Sequence, residues 1–165
     1  MNKLIIVTGP AGVGKSTVSE LIANELLKSA FIEGDTIYNY VVGGHISPWK
    51  EGNHLSLFWK ISINTIRSFL EEGYDVIYNY IVTPENYKKI KAEFNEYDVK
   101  FVVLLCSEEE ILRRDSLRPL DWQMKERCIE LLNDFKTYEF DSKYIIDTSK
   151  KTIEETVKQI LSRLN

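Results

Sequence analysis

Five short apolar runs punctuate the chain: Leu4 to Thr8, Ala30 to Glu33, Asp75 to Val82, Lys100 to Cys106 and Tyr144 to Asp147. Within each run hydrophobicity is continuous rather than alternating, which suits strands covered on both faces, as in a parallel sheet. Between them lie segments whose apolar residues recur at helical spacing. Ser16 to Ser29 carries Val18, Leu21, Ile22 and Leu26 on one face, and Asn53 to Glu72 carries Leu55, Phe58, Trp59, Ile63, Ile66, Phe69 and Leu70, with Gly73 as its stop. Thr83-Pro84 opens a third helix with proline at its first position. Ser107 with Glu110 and Thr152 with Glu155 form capping boxes, and Asp121 can cap a further helix. Strand and helix in alternation predict a doubly wound α/β sheet. One stretch, Thr36 to Gly52, has no clean periodicity and reads as a binding loop or lid.

In an open parallel sheet a ligand lies beyond the carboxyl ends of the strands, so the residues leaving each run carry the functional reading. The first run exits into Gly9-Pro10-Ala11-Gly12-Val13-Gly14-Lys15-Ser16-Thr17, which fits G-x-x-x-x-G-K-[ST] between a strand and a helix. The glycines let the backbone bend and aim successive N–H groups at β- and γ-phosphates, and the following helix adds the positive end of its dipole. Lys15 is expected to reach the β/γ oxygens and the Ser16 hydroxyl to ligate Mg²⁺, so ATP and Mg²⁺ are the expected cofactors.

The second run exits into Glu33-Gly34-Asp35. Asp35 is a candidate for the group that accepts or orients the proton of a substrate hydroxyl, because phosphoryl transfer depends on positioning and charge stabilisation. Its alternative role is the N-cap of a short helix beginning near Thr36. Glu33 is a candidate to touch the Mg²⁺ shell through water. Further on, ILRRDSLRPLDWQMKER from Ile111 to Arg127 gathers Arg113, Arg114, Arg118 and Arg127 around Pro119, which forces a turn between two helical pieces. A lid of this kind brings guanidinium groups over the transferring phosphate, Arg114 and Arg118 foremost. The competing reading is a solvated basic face paired with Glu108, Glu109, Glu110 and Asp115. Tyr38, Tyr40, Trp49, Tyr78, Tyr80 and Trp122 fall near strand ends or their loops, and several of them lining an acceptor pocket would favour a ringed or partly apolar substrate.

Composition narrows the possibilities. With 165 residues, 44% of them hydrophobic, the chain can bury one good core and is read as one domain over 1–165. A net charge of −4 speaks against a broad polyanion-binding face, and so against nucleic acid as a partner. Cys106 and Cys128 lie far apart in apolar settings and read as buried reduced thiols, which points to the cytoplasm. No stretch approaches the roughly 18 apolar residues of a membrane span, and the opening LIIV is too short for a secretory core. His45 and His54 lack metal-ligand spacing.

Together these residues resemble the small-molecule P-loop kinases, the group that includes shikimate kinase, gluconate kinase and chloramphenicol phosphotransferases. GPAGVGKST resembles their Walker A loop, the EGD of Glu33 to Asp35 their acidic strand-two exit, and RRDSLRPL from Arg113 to Leu120 their arginine lid. IIDTSKKTIEETV from Ile145 to Val157 is similar to their last strand, loop and helix, where the loop borders the adenine, which implicates Thr148 and Ser149 in nucleotide binding. The resemblance implies a three-layer fold with a five-stranded parallel sheet in the order 2-3-1-4-5 and ATP-dependent phosphorylation of a small hydroxyl compound by a monomer or homodimer. It also implies an acceptor-binding segment at about 36–54 and a lid at about 111–127. Two departures stand out. Asn79 sits on strand three where an acidic Walker B residue is common, and YNYVVGGHISPW lacks the Arg or Lys that a carboxylate acceptor requires. The alternatives are a nucleoside or nucleotide kinase, and a nucleotide-binding switch without catalysis.

Overall fold

Because each apolar run is covered on both sides, successive residues of one strand feed two separate cores. In the computed structural model, which describes residues 2–164, β1 (Lys3–Thr8) sends Leu4 and Ile6 into one cluster with Phe58, Ile66, Leu70 and Tyr78. Ile5 and Val7 enter the other, with Val18, Ile22, Val157 and Ile160. All four β1 side chains are fully buried, each contributing about 1.5–3 kcal/mol relative to exposure.

β1 lies between β3 (Asp75–Asn79) and β4 (Asp98–Leu105), with β2 (Ser29–Glu33) and β5 (Ile145–Asp147) outside them. The order is β2-β3-β1-β4-β5, every neighbouring pair is parallel, and this is the sheet the sequence resemblance implied. The connecting helices are α1 (Lys15–Glu25), α2 (Gly34–Tyr38), α3 (Leu55–Glu71), α4 (Pro84–Glu93), α5 (Glu108–Ser116), α6 (Glu126–Thr137) and α7 (Ile153–Leu164). α1 and α7 contribute to the second core, α3 and α4 to the first, so the sheet is sandwiched between helical layers. The order reverses between β1 and its neighbours, and the crevice of such a sheet opens there.

Local signals hold where they are chemical. Thr83 caps α4 by accepting the Asn86 N–H, Gly73 follows α3 at φ 80°, and Thr152 and Glu155 exchange both bonds of a capping box. The Ser107 box is only half made, because the Glu110 carboxylate turns to Arg113 and Arg114 instead. Boundaries differ where tertiary demands intervene. α1 stops at Glu25 rather than Ser29, Leu26 is extended, and the Ser29 hydroxyl donates to the Ala23 carbonyl as the chain turns into β2. β3 ends at Asn79 rather than Val82, whose N–H is taken by the Thr8 hydroxyl. Asp121 caps no helix: Leu120–Trp122 forms a single 3₁₀ turn, and α6 begins four residues later. Cys106 and Cys128 are free and buried, as expected. Among the described residues no helix is long and apolar enough to cross a membrane.

Candidate active site

The loop from Gly9 to Thr17 is shaped by backbone that only glycine adopts easily. Gly9 (φ 149°) passes so close to β4 that a Cβ there would lie 2.4 Å from the Leu104 carbonyl oxygen, and Gly12 (φ 87°) and Gly14 (φ 100°) are left-handed. Gly14 is the N-cap of α1 and offers no side-chain acceptor, and the first turn holds no acidic residue. The leading amides of α1 are thus without a side-chain cap, and a Cβ built on Gly14 would meet nothing within 4 Å, which leaves room for a polyphosphate at the helix start. Lys15, half-buried at this helix start, donates from Nζ to the Pro10 carbonyl at 2.9 Å. Burial lowers its pKa to about 8 against the opposing pull of Asp35.

Three strand exits converge on Ser16. Its hydroxyl donates to Glu33 Oε1 at 2.5 Å at the end of β2 and accepts from Asn79 Nδ2 at 3.0 Å at the end of β3. Asn79 is buried, so the sheet presents a neutral amide where an acidic group was missing from the sequence, and Glu33 supplies the carboxylate. One hydroxyl and one carboxylate oxygen side by side form a partial oxygen set of the kind Mg²⁺ accepts while keeping several waters. Among the described residues no cluster of three His, Cys, Asp or Glu forms a protein-only metal cage.

Asp35 is not the helix cap. α2 already includes Gly34, its N-cap position is Glu33, and Asp35 lies in the first turn with its carboxylate pointed at the cleft. Solvent reaches it, yet the cleft walls raise its pKa through desolvation, opposed by Lys15 and Arg118. Lys15, Asp35 and Arg118 therefore share one field.

Two hollows meet at Gly12, Gly14, Thr17 and Arg118. The first, about 580 Å³, runs between the loop, α5 and the residues after β5, and includes Val13, Arg114, Thr148 and Lys151. The second, about 480 Å³, runs from Lys15 and Asp35 past Trp49, Trp59 and Tyr80 to Asn86 and Arg127. Arg114 and Arg118, grouped in the sequence, separate here. Arg114 ties α5 to both sides of the first hollow, donating to the Val13 carbonyl (2.8 Å), to Thr148 Oγ1 (3.0 Å) and to the Thr148 carbonyl (2.9 Å), while Glu110 holds its Nε at 2.6 Å. Arg118 stands at the junction, 3.5 Å from Asp115. Thr148 lines the first hollow; Ser149 does not, and instead bonds Asp147 and the Ser107 amide to fix the two strand exits.

The buried Asp115 organises the connection from α5 to α6. Its carboxylate accepts the N–H groups of Met124 and Lys125, and Lys125 (φ 46°) holds a left-handed backbone at the start of α6. These charge-assisted bonds replace the cap expected from Asp121 and keep the Asp115 carboxyl below its usual range against the cost of burial. Of the aromatic candidates, Trp49 and Tyr80 line the second hollow, Tyr38 and Tyr78 are core, and Tyr40 and Trp122 face solvent. Trp59, Thr83, Asn86 and Met124 also line it and went unmarked in the sequence. The one available signal was that Leu55 and Trp59, four residues apart, open α3 directly after the irregular loop.

The profile of the AAA domain family matches residues 5–130. Guanylate kinase of Prochlorococcus marinus is 29% identical over 98% of this chain and 96% of its own length. Shikimate kinase of Caldanaerobacter subterraneus is 24% identical over 96% of this chain and 94% of its own. Among solved structures, the tunicamycin resistance protein of Deinococcus radiodurans shares the fold with a TM-score of 0.73 at 16% identity, covering 100% of this chain and 96% of that one. With the phosphate loop and sheet order already in place, the chain belongs to the AAA domain family, and the relatives it matches are kinases.

Proposed function

We propose that residues 1–165 act as one catalytic unit that transfers the γ-phosphoryl group of ATP to a hydroxyl of a small molecule. The observation that carries this reading is the meeting of Lys15, Asp35 and Arg118 where the two hollows join. In this reading the first hollow takes the nucleotide, with Thr148 beside the base and Arg114 bracing the wall. The loop amides from Gly9 to Thr17 take the phosphates. Lys15 leaves the Pro10 carbonyl to meet the β/γ oxygens, and Arg118 meets charge that spreads over the transferring group. Asp35 orients the acceptor hydroxyl and receives its proton as the new bond forms. Ser16 and Glu33 would hold Mg²⁺, which when bound supplies neutralisation between the β- and γ-phosphates. The buried free thiols fit a reducing, cytoplasmic setting.

A nucleotide kinase is the second reading, favoured by the 29% identity to a guanylate kinase. ADP release measured with a panel of sugars, nucleosides, nucleotides, amino alcohols and antibiotics, against an acceptor-free blank, tests both. Stimulation by one compound class is expected; a rate identical to the blank with every compound contradicts phosphoryl transfer to a small acceptor.

A further inference from the structure

The acceptor hollow is walled by rings, and the charged side chains on its lining are Lys15, Asp35, Arg118 and Arg127. Pro48 and Trp49 form one side, Leu55, Trp59 and Tyr80 another, and Met124 with Leu131 the lid side. Trp59 packs edge-on to Tyr80, with centroids 5.7 Å apart, and both contact Phe58 beneath, so the wall is fixed by the core rather than free to collapse. Fixed aromatic faces of this kind select a flat, apolar body. The polar groups that reach the hollow away from the phosphates are Thr83 and Asn86, neutral hydrogen-bonding side chains, together with Asp35 and Arg127.

Charge decides the class. In the outer part of the hollow Arg127 is engaged on two sides: Nη1 donates to Glu130 at 2.7 Å, and the guanidinium lies over the Trp49 ring, 5.4 Å from its centroid. Arg118 is drawn to Asp115, and Lys15 serves the phosphate loop. A carboxylate or phosphate on the acceptor would meet the Asp35 charge with no dedicated cation opposite, and such groups are ordinarily held by an unshared arginine fork.

We infer, resting on the kinase reading above, that the acceptor is an uncharged, ring-bearing alcohol, its ring held between Trp49 and the Trp59–Tyr80 wall and its hydroxyl at Asp35. This sets the chain apart from relatives named for guanylate and shikimate, whose acceptors are anions.

The test uses pairs that differ in charge in the ADP-release assay: guanosine with guanosine monophosphate, thymidine with thymidine monophosphate, and 2-phenylethanol with shikimate and gluconate. Quenching of tryptophan emission by each compound, in the presence of a non-hydrolysable ATP analogue, is read in parallel. The neutral ring alcohols are expected to bind and stimulate at least about tenfold better than their anionic counterparts. Trp49→Ala should raise their KM about tenfold with the KM for ATP unchanged, the size of a lost aromatic contact. Arg127→Gln, which keeps a polar side chain but removes the charge, should leave the preference for neutral over anionic members in place. Preference for the anionic members, or loss of the neutral preference in Arg127→Gln, overturns this inference and leaves the kinase reading standing. No stimulation and no quenching by any compound counts against both.

Discussion

Binding a non-hydrolysable ATP analogue with Mg²⁺ is expected to draw protons from the buffer, and the proton goes to Lys15. In the free protein burial depresses this ammonium to a pKa of about 8, whereas contact with β/γ oxygens restores it to 10.5 or above. The uptake then follows from the two values: about 0.1 proton at pH 7, about half a proton at pH 8 and about 0.9 at pH 9. With a last pKa of about 6, the terminal phosphate is about nine-tenths ionised at pH 7 and almost completely so at pH 8 and 9, where the uptake is therefore read. Calorimetry in two buffers of different ionisation enthalpy reads the number directly. Lys15→Met should remove it, and Asp35→Asn, by deleting a charge that pulls the Lys15 pKa up, should move the onset of uptake to lower pH. The same shift has a stability signature. The unfolded chain keeps the Lys15 proton up to about pH 10.5 while the folded one releases it near 8, so the stability of the nucleotide-free protein should rise with pH across that window relative to Lys15→Met. Uptake near zero at both pH 8 and pH 9, or equal uptake in Lys15→Met, refutes the placement of this lysine at the polyphosphate.

Asp35→Asn preserves shape but not basicity, and is expected to lower kcat by about 10² to 10⁴ with nucleotide affinity unchanged; near-normal turnover would remove Asp35 from the chemistry. Arg118→Ala should lower kcat far more than it weakens ATP binding, whereas Arg114→Ala, which strips three bonds from α5 to Val13 and Thr148 across the first hollow, should destabilise the fold by about 2–4 kcal/mol and be read in a thermal melt. Equal effects of the two substitutions on both measurements would contradict the division of labour between them. Gly9→Ala forces a Cβ to 2.4 Å from the Leu104 carbonyl and should cost about 3 kcal/mol or more, seen as a Tm lowered by about 6–12 °C; an unchanged Tm would mean that β1 and β4 are not so closely held.

The sheet was legible because its signal is local and repeated. A continuous apolar run such as Leu4 to Val7 can only be buried on both faces, and the phosphate loop that follows it names its own structure. Asp35 was ambiguous in sequence because a carboxylate near a helix start suits both a cap and a catalytic group; the helix begins at Gly34, two residues before Thr36, so Asp35 falls in its first turn rather than at the cap. Arg114 and Arg118 looked alike because they lie one helical turn apart, yet the turn at Pro119 and the clamp of Asp115 on Met124 and Lys125 set them at different places. Trp59 was hidden by its helix. Its spacing matches the core-facing stripe of α3, but it sits in the first turns of that helix, where Leu55 and Trp59 line the second hollow. Such assignments depend on which elements end beside one another, and that information is tertiary.

Phosphorus-31 NMR of the protein with Mg²⁺, ATP and the compound that most strongly stimulates ADP release follows the fate of the γ-phosphate itself. Its resonance should give way to a phosphomonoester signal that grows in step with ADP and is lost in Asp35→Asn. Growth of inorganic phosphate alone, at the same rate with and without the compound, would show that the γ-phosphate goes to water and that no acceptor hydroxyl is held at Asp35.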